Sequence, residues 1–243
     1  IVKNTAFLYF RMLFSMGITL YTSRLILTIL GIDDFGIYNV IGGMVSMFLF
    51  LNTAMSSATS RFLTFEIGKG ENSEISKVFS VSLTTHLIII AIIFVLCESI
   101  GVWFLNSKMI IPEDRVYAAN IVLQTSIAAS LINIIQVPYR AIVVSYEKMD
   151  MYAYIEIFNV VSKLLIAIAL IYTTCDKLIT YSYLYLVTCI VVFLIYAVYA
   201  NFRCVGANFS PKLDKDILKP MLTFTGWDFY GNASVVARTQ GVN

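Results

Sequence analysis

The most constraining feature of this sequence is an uncharged run from Ile37 to Ser60. About 20 helical residues span the hydrocarbon of a bilayer, so this run is long enough to cross one. Its second half is polar on one side, because six side chains fall within an arc of about 160° at about 100° per residue. A membrane helix with such a face packs on a partner or lines a watery cavity. The six side chains are Asn52, Thr53, Ser56, Ser57, Thr59 and Ser60.

Composition extends the membrane interpretation to the whole chain. Hydrophobic residues make up 59% of the 243 and charged residues 13%, whereas soluble domains carry about 25% charge. A net charge of +2 without a basic aromatic cluster argues against nucleic acid as a partner. The four cysteines are scattered without C-x-x-C spacing, and His86 has no neighbouring ligand residue. We therefore expect no metal and no cofactor.

Seven apolar segments separated by short connectors predict membrane helices, since barrel strands need only about ten alternating residues. The fold class is all-α: a polytopic membrane bundle with one six-helix lobe and the start of a seventh helix. A tight acidic turn from Gly31 to Gly36 separates the first two helices. The predicted segments are 5–30, 35–65, 78–105, 116–144, 152–174, 178–202 and a last one from 217.

The predicted organisation is a six-helix lobe over 1–203, a cytoplasmic connector over 204–216 and the start of a second lobe over 217–243. The chain opens without an initiator methionine and ends within an apolar segment. We therefore expect it to be a piece of a longer protein.

Lysine and arginine counts orient the helices, because cytoplasmic loops carry the excess. One side holds Lys3, Arg61, Lys69, Lys77, Arg140, Lys148, Arg203, Lys212, Lys215 and Lys219, and the other holds Lys108, Arg115 and Lys177. The N-terminus is therefore expected in the cytoplasm.

Ionisable residues within membrane segments cost at least about 2.5 kcal/mol each at the bilayer centre, so they face protein or water. Arg24 shares a helical face with Gly17, Tyr21 and Thr28, which would suit a polar or anionic ligand. The alternative is that Arg24 snorkels to the interface. Arg11 lies on nearly the opposite face, close to the other end, where snorkelling is the simpler interpretation.

The fifth segment carries Glu156, Asn159 and Lys163 at i, i+3 and i+7, which makes one polar stripe. Such a stripe could act as a proton or ion relay, or it could be a Glu–Lys pairing that only holds helices together. In the sixth segment, tyrosines near both ends have the distribution of aromatic belts at membrane interfaces. They are Tyr181, Tyr183, Tyr185, Tyr196 and Tyr199.

Three stretches resemble a known family. The first is L-G-x-D-D-F-G-I-Y after the first helix, followed by S-x-A-T-S-R-F and G-K-G in the region from Arg24 to Gly70. The second is V-P-Y-R-A-I-V-V-S-Y-E-K-M-D-M-Y-A-Y, from Val137 to Tyr154, and the third is A-R-T-Q-G-V-N at the end. Together they resemble the Wzx-type O-antigen and capsule flippases of the multidrug/oligosaccharidyl-lipid/polysaccharide (MOP) superfamily.

This resemblance implies two six-helix lobes around a cleft that opens alternately to each side, as in a MATE-like transporter, with the present chain as the first half. It also implies a lipid-linked oligosaccharide on a polyprenyl pyrophosphate carrier as cargo, and possible polysaccharide assembly proteins as partners. Arg24 and Arg238 would hold the pyrophosphate, since guanidinium forks match phosphate oxygens. The helices expected to line the cleft carry Arg24, Asn52, Ser56, Arg238 and Gln240.

Two alternatives to this flippase remain. One is a MATE-type multidrug or cation antiporter, although such proteins often use an acid in the first helix, and here that helix has two arginines and no acid. The other is a membrane partner of a polysaccharide assembly complex that does not transport. An enzyme, such as a membrane glycosyltransferase, is disfavoured because the loops are too short to hold an active-site domain.

Overall fold

The computed structural model describes residues 2–48, 50–70, 74–210 and 214–240. Within these ranges, side chains are described except those of residues 2–8, 10, 48, 50–54, 229 and 232–240. The described ranges form helices and short connectors, with no strand among them. The helices are α1 (Val2–Phe48), α2 (Phe50–Gly68), α3 (Ile75–Leu96), α4 (Val102–Ser107), α5 (Val116–Ser145), α6 (Met149–Ala169), α7 (Lys177–Arg203) and α8 (Lys215–Gln240).

Helix α1 is broken at one residue, Gly31, which has φ 81° and ψ 174°. This region of backbone conformation is almost exclusive to glycine. The break divides α1 into a first arm (residues 2–30) and a second arm (residues 32–48). The predicted turn from Gly31 to Gly36 is therefore wrong in extent, because Asp33 and Asp34 already belong to the second arm. Their carboxylates suit this position, since a helix N-terminus carries partial positive charge.

Five stretches of the described residues are long and apolar enough to cross a membrane: Arg11–Met47, Ile75–Ser107, Glu113–Ser145, Met149–Tyr172 and Lys177–Arg203. The first would measure about 55 Å as one straight helix, far more than the hydrocarbon thickness of about 30 Å. Because it contains the Gly31 break, it corresponds to two crossings. The all-helical membrane bundle predicted from the sequence is confirmed.

Helix α5 lies at the centre of the bundle and packs on α1, α2, α3 and α7. Its buried residues include Leu123, Ile127, Ile134 and Ile142, which belong to the hydrophobic core. Helix α6 packs against α1 and α7, and α8 packs against α2 and α3. Met221 anchors α8 by lying fully buried in a cluster with Met55 of α2. Helix α1 also contacts α7, whereas α2 packs on α3, α5 and α8.

The tyrosines of α7 correct the prediction of two aromatic belts. Tyr181 and Tyr196 are 4% and 0% exposed, so they belong to the core. Tyr181 packs edge-on against Tyr38 of α1, with ring centroids 4.9 Å apart. The hydroxyl of Tyr196 donates to Glu156 of α6 at 3.4 Å. Only part of the tyrosine set, such as the half-exposed Tyr183, is available to an interface.

Three helix beginnings meet at one end of the bundle, where Arg115 joins two carboxylates. Its Nε donates to Asp34 Oδ1 at 2.8 Å, and its Nη2 donates to the other oxygen of Asp34. Its Nη1 donates to Asp176 Oδ2 at 2.5 Å. Asp34 lies in the second arm of α1, Arg115 precedes α5 and Asp176 precedes α7. We call these three residues the Arg115 cluster.

Asp176 has a second role as the N-terminal cap of α7. Its Oδ1 accepts the backbone N–H groups of Leu178 and Ile179 at 3.0 and 3.1 Å. Partial burial by itself would raise the pKa of Asp176, but these N–H donors and the Arg115 guanidinium outweigh it and lower the pKa below its ordinary value of 3.8. The native fold therefore favours the ionised carboxylate.

We expect Gly31→Ala to lower the free energy of unfolding by about 1–3 kcal/mol, because alanine would have to adopt a backbone conformation that is almost exclusive to glycine. Gly36→Ala is the control, since this glycine is helical and a Cβ would meet nothing within 4 Å. Alanine there should leave stability unchanged or raise it slightly. Melting temperatures of the purified protein in detergent test both. Equal melting temperatures for the two variants would contradict this account of the break.

We expect Asp176→Asn to destabilise the protein at neutral pH, because asparagine keeps a cap oxygen but loses the charge that binds Arg115. Since the pKa of Asp176 is lower in the folded state, its stabilising effect is present above pH 3.8 and is lost as the pH falls through the folded value. The difference in melting temperature between wild type and variant should therefore shrink as the pH is lowered. Asp114→Asn, at an exposed position, should show no such difference. A pH-independent difference would exclude a role for the charge.

Candidate functional site

The candidate cleft residues divide between α1, α2 and α8. The side chains of Arg24 and Ser56 are described, and Arg24 is exposed while Ser56 is half-buried. Asn52, Arg238 and Gln240 lie outside the residues whose side chains are described, although α2 and α8 carry them. Their assignment to a cleft stays a prediction.

Arg24 lies on the face of the first arm that points away from the rest of the chain. Its neighbours on that face are exposed too, and Tyr21 is 60% exposed. Thr28 donates its hydroxyl to the Arg24 carbonyl oxygen at 3.0 Å, which leaves the guanidinium uninvolved. No ion pair of the described residues includes Arg24. The opposite face, with Thr22 and Ile26, is buried.

Arg11 is held differently, although it lies on the same arm. Its guanidinium carbon lies 4.9 Å from the centroid of the Tyr152 ring on α6. Its Nε is buried without a hydrogen-bond partner. A cation over an aromatic face is stabilised by the ring quadrupole. Arg11 therefore contributes to the packing of α1 on α6, and Arg24 remains the exposed guanidinium of this arm.

A second exposed guanidinium, not selected from the sequence, belongs to Arg61 on α2. It lines an open cavity of about 610 Å³ together with Ser60, Thr64 and Phe65. Its guanidinium carbon lies 4.5 Å from the ring centroid of Phe224 on α8. In the sequence this arginine stands within S-x-A-T-S-R-F, near the end of the predicted segment 35–65. Helix α2 continues to Gly68, so Arg61 lies on a helical surface.

The stripe on α6 lies between helices, since α6 packs on α1 and α7. Glu156 accepts a hydrogen bond from Tyr196, and the Lys163 Nζ lies 5.2 Å from the ring centroid of Tyr185. Asn159 is half-buried between them along the helix. Among the described residues, Glu156 and Lys163 form no ion pair with each other. Each instead contacts a tyrosine of α7.

The described residues contain no group of three or more His, Cys, Asp or Glu side chains that could hold a metal ion. Cys97, Cys189 and Cys204 are buried and Cys175 is exposed, all as free thiols. The Nδ1 of His86 is 2.7 Å from the Ser82 carbonyl oxygen on its own helix. Cys97, Cys189 and His86 therefore pack within helical stretches, whereas Cys175 and Cys204 lie in the bends next to the two ends of α7.

No family model and no curated protein matches this sequence. Solved structures do match over almost the whole chain. An outward-facing multidrug resistance MATE family transporter of the MOP superfamily matches with a TM-score of 0.76 at 17% identity, over 96% of this chain and 53% of its own. A MATE protein in the straight conformation matches with a TM-score of 0.77 at 17% identity, over 98% and 56%.

A third neighbour is a MOP superfamily transporter from Pyrococcus furiosus, with a TM-score of 0.75, 17% identity and coverage of 96% and 53%. The reversed polarity of its binding pocket suggests a different function for that protein. The chain has the fold of half a MATE transporter. It spans about half the length of these neighbours, and identities of this size establish the fold alone.

Cysteine labelling tests whether one side of α2 faces water. In a background with Cys175→Ser, we expect Ser56→Cys and Thr64→Cys to react with a water-soluble maleimide in membranes. Ile92→Cys is the control, because Ile92 is 51% exposed on α3 among apolar neighbours and should face lipid. Labelling yield by mass shift is the measurement. If Ile92→Cys reacts as readily as the other two, or if neither of them reacts, the assignment of a watery side to α2 is wrong.

Proposed function

We propose that this chain is the N-terminal half of a flippase in a bacterial inner membrane. The cargo is an oligosaccharide linked to a polyprenyl pyrophosphate carrier, and the two lobes rock to open a cleft alternately to each side. The N-terminus lies in the cytoplasm in this proposal. Its support is the MATE fold together with the motifs from Arg24 to Gly70 and from Val137 to Tyr154.

The observation that carries this proposal is the exposed, unpaired guanidinium of Arg24. Between Lys3 and Asp33 the only charged residues are Arg11 and Arg24, so the first arm offers positive charge alone. Because Arg11 is placed over Tyr152, Arg24 is the arginine of the first arm whose donors are available to a ligand. A guanidinium binds phosphate oxygens through two parallel N–H donors.

The proposed path for the cargo uses several groups at different depths. Arg24 lies seven residues before the Gly31 break and Arg61 lies thirty after it, so the two cannot hold one phosphate group together. Arg61 would contact the carrier near the other end of the path. Arg238 on α8 would complete the pyrophosphate site with Arg24, and Asn52, Ser56 and Gln240 would contact sugar hydroxyls.

The alternative function is a MATE-type multidrug or cation antiporter. It is favoured by the neighbours, one of which is a multidrug resistance transporter. The Pyrococcus furiosus protein indicates, however, that pocket polarity varies within this fold. A first arm with arginines and no acid suits an anionic cargo better than a cationic one. A non-transporting partner of an assembly complex is the remaining possibility.

Gene replacement in the organism of origin tests the proposal. We expect deletion to strip surface polysaccharide while completed lipid-linked units accumulate, and Arg24→Ala to behave similarly at an unchanged protein level. A hydrogen bond to a charged group contributes about 1.5–3 kcal/mol, so losing this side chain should lower export about tenfold or more. Quantities of surface polymer and lipid-linked intermediates are the measurements.

Arg203→Ala is the matched control, because Arg203 is equally exposed but ends α7. It should support normal export. Unchanged surface polymer with raised drug sensitivity in the deletion strain would favour the antiporter instead. If intermediates accumulate in the deletion strain but Arg24→Ala exports them normally, Arg24 does not belong to the site.

A further inference from the structure

A cavity beside the second arm, partly open to the surface and lined in part by polar side chains, is not explained by the cargo path proposed above. It has two chambers of about 170 and 290 Å³, which share Tyr38 and Asn39 of the second arm. The smaller chamber lies between α1, α6 and α7 and is lined by Lys163 and Thr22 among others. The larger lies against α5, where Ser130 contributes to the lining. Arg24 lines neither chamber, because it points from the other face of the first arm.

Lys163 is the only side chain lining either chamber that is charged at neutral pH. No acidic residue is among the described lining residues, and Lys163 is in none of their ion pairs. The acid of the same stripe, Glu156, is two helical turns away, about 10 Å along the axis, and it accepts from Tyr196. An ammonium within a membrane protein that lacks a counter-charge is costly, so an opposite charge beside it stabilises the fold.

Thr22 supplies a second, independent sign of a ligand. It is 6% exposed, and its hydroxyl oxygen is buried without a hydrogen-bond partner. Other helical threonines donate to a carbonyl four residues earlier, as Thr28 and Thr125 do at 3.0 and 2.9 Å. Buried polar groups are rarely left without a partner. The Thr22 hydroxyl can donate to a group in the chamber that it lines.

We propose that the smaller chamber binds a small inorganic monoanion, such as chloride, between the Lys163 ammonium and the Thr22 hydroxyl. Both groups are donors, whereas a metal cation would meet a positive charge and no carboxylate. A water molecule takes up about 30 Å³ of liquid volume, so 170 Å³ has room for an ion of this size with several waters but not for a lipid-linked sugar. The proposal does not depend on the identity of the transported cargo.

The test measures thermal unfolding of the purified full-length protein in detergent, in sodium chloride or sodium gluconate at equal ionic strength. Gluconate is a larger, hydroxylated anion and serves as the reference. We expect the melting temperature of wild type to rise with chloride and to saturate, because a ligand that binds only the folded state stabilises it. Lys163→Met should abolish this rise, and Thr22→Val, of nearly the same shape, should shift it to higher chloride.

Lys108→Met, which removes an exposed lysine, should keep the chloride response of wild type. In gluconate, Lys163→Met should be at least as stable as wild type, since it removes an unpaired charge. A wild-type melting temperature that does not depend on the anion overturns the proposal, as does the same response in Lys163→Met. If Lys163→Met does not fold, bromide-soaked crystals of wild type decide: anomalous scattering beside Lys163 supports the proposal and its absence overturns it.

Discussion

The constraint on which this structure depends is that hydrocarbon offers no partner for polar groups. The backbone meets it by forming helices, whose hydrogen bonds are internal to each segment. Hydroxyl groups within the helices find a partner on their own helix: Thr84 and Thr85 each donate to a backbone carbonyl oxygen one turn earlier at 2.8 Å. Charged side chains cannot be satisfied in that way. Each of them needs an aromatic ring, an opposite charge, water or a ligand.

Most charges in the membrane-spanning stretches have such a partner. Arg11 lies over Tyr152, Glu156 accepts from Tyr196, and Glu98 accepts from Gln124 at 3.2 Å. Arg115 is bound by two carboxylates. Lys163 lies near the Tyr185 ring but has no ion-pair partner among the described side chains, and the same is true of the exposed guanidinium of Arg24 on the first arm. These two groups supply the positive charge of the two proposed sites.

The helices could be predicted from the sequence because their pattern is local. Long apolar runs and short charged connectors locate the segments, and the glycine at position 31 marks the break. Contacts between helices could not be predicted in the same way. Asp34 and Arg115 are separated by 81 residues, so no spacing rule relates them. The segment from Gly31 to Gly36 is therefore predicted only as a turn, although its Asp34 binds Arg115. Two residues after this segment, Tyr38 lines the cavity beside the second arm.

The prediction that the tyrosines of α7 form aromatic belts was wrong for a related reason. Tyr181, Tyr183 and Tyr185 stand two apart, and at about 100° per residue such a series points in different directions around a helix. The tyrosines lie near the ends of the helix, which suggested a membrane interface, but the direction in which each side chain points decides whether it is buried. The same geometry served well on the first arm, where Arg24 and Thr22 lie about 200° apart. Burial on a helix can therefore be predicted only when the direction of each side chain is worked out.

The charges of the first lobe bear on which cargo its fold can serve. A helix is about 10 Å across, so groups on opposite faces of the first arm are separated by roughly that distance. At an effective dielectric constant of about 20, two unit charges at this distance interact by about 1.7 kcal/mol. A cationic drug beside Arg24 would be repelled by Arg24 itself, and Lys163 would add to this repulsion only while no anion is bound beside it. In the proposed flippase a pyrophosphate would be favoured at Arg24, so the charge of the first arm, and not the fold, would select for an anion.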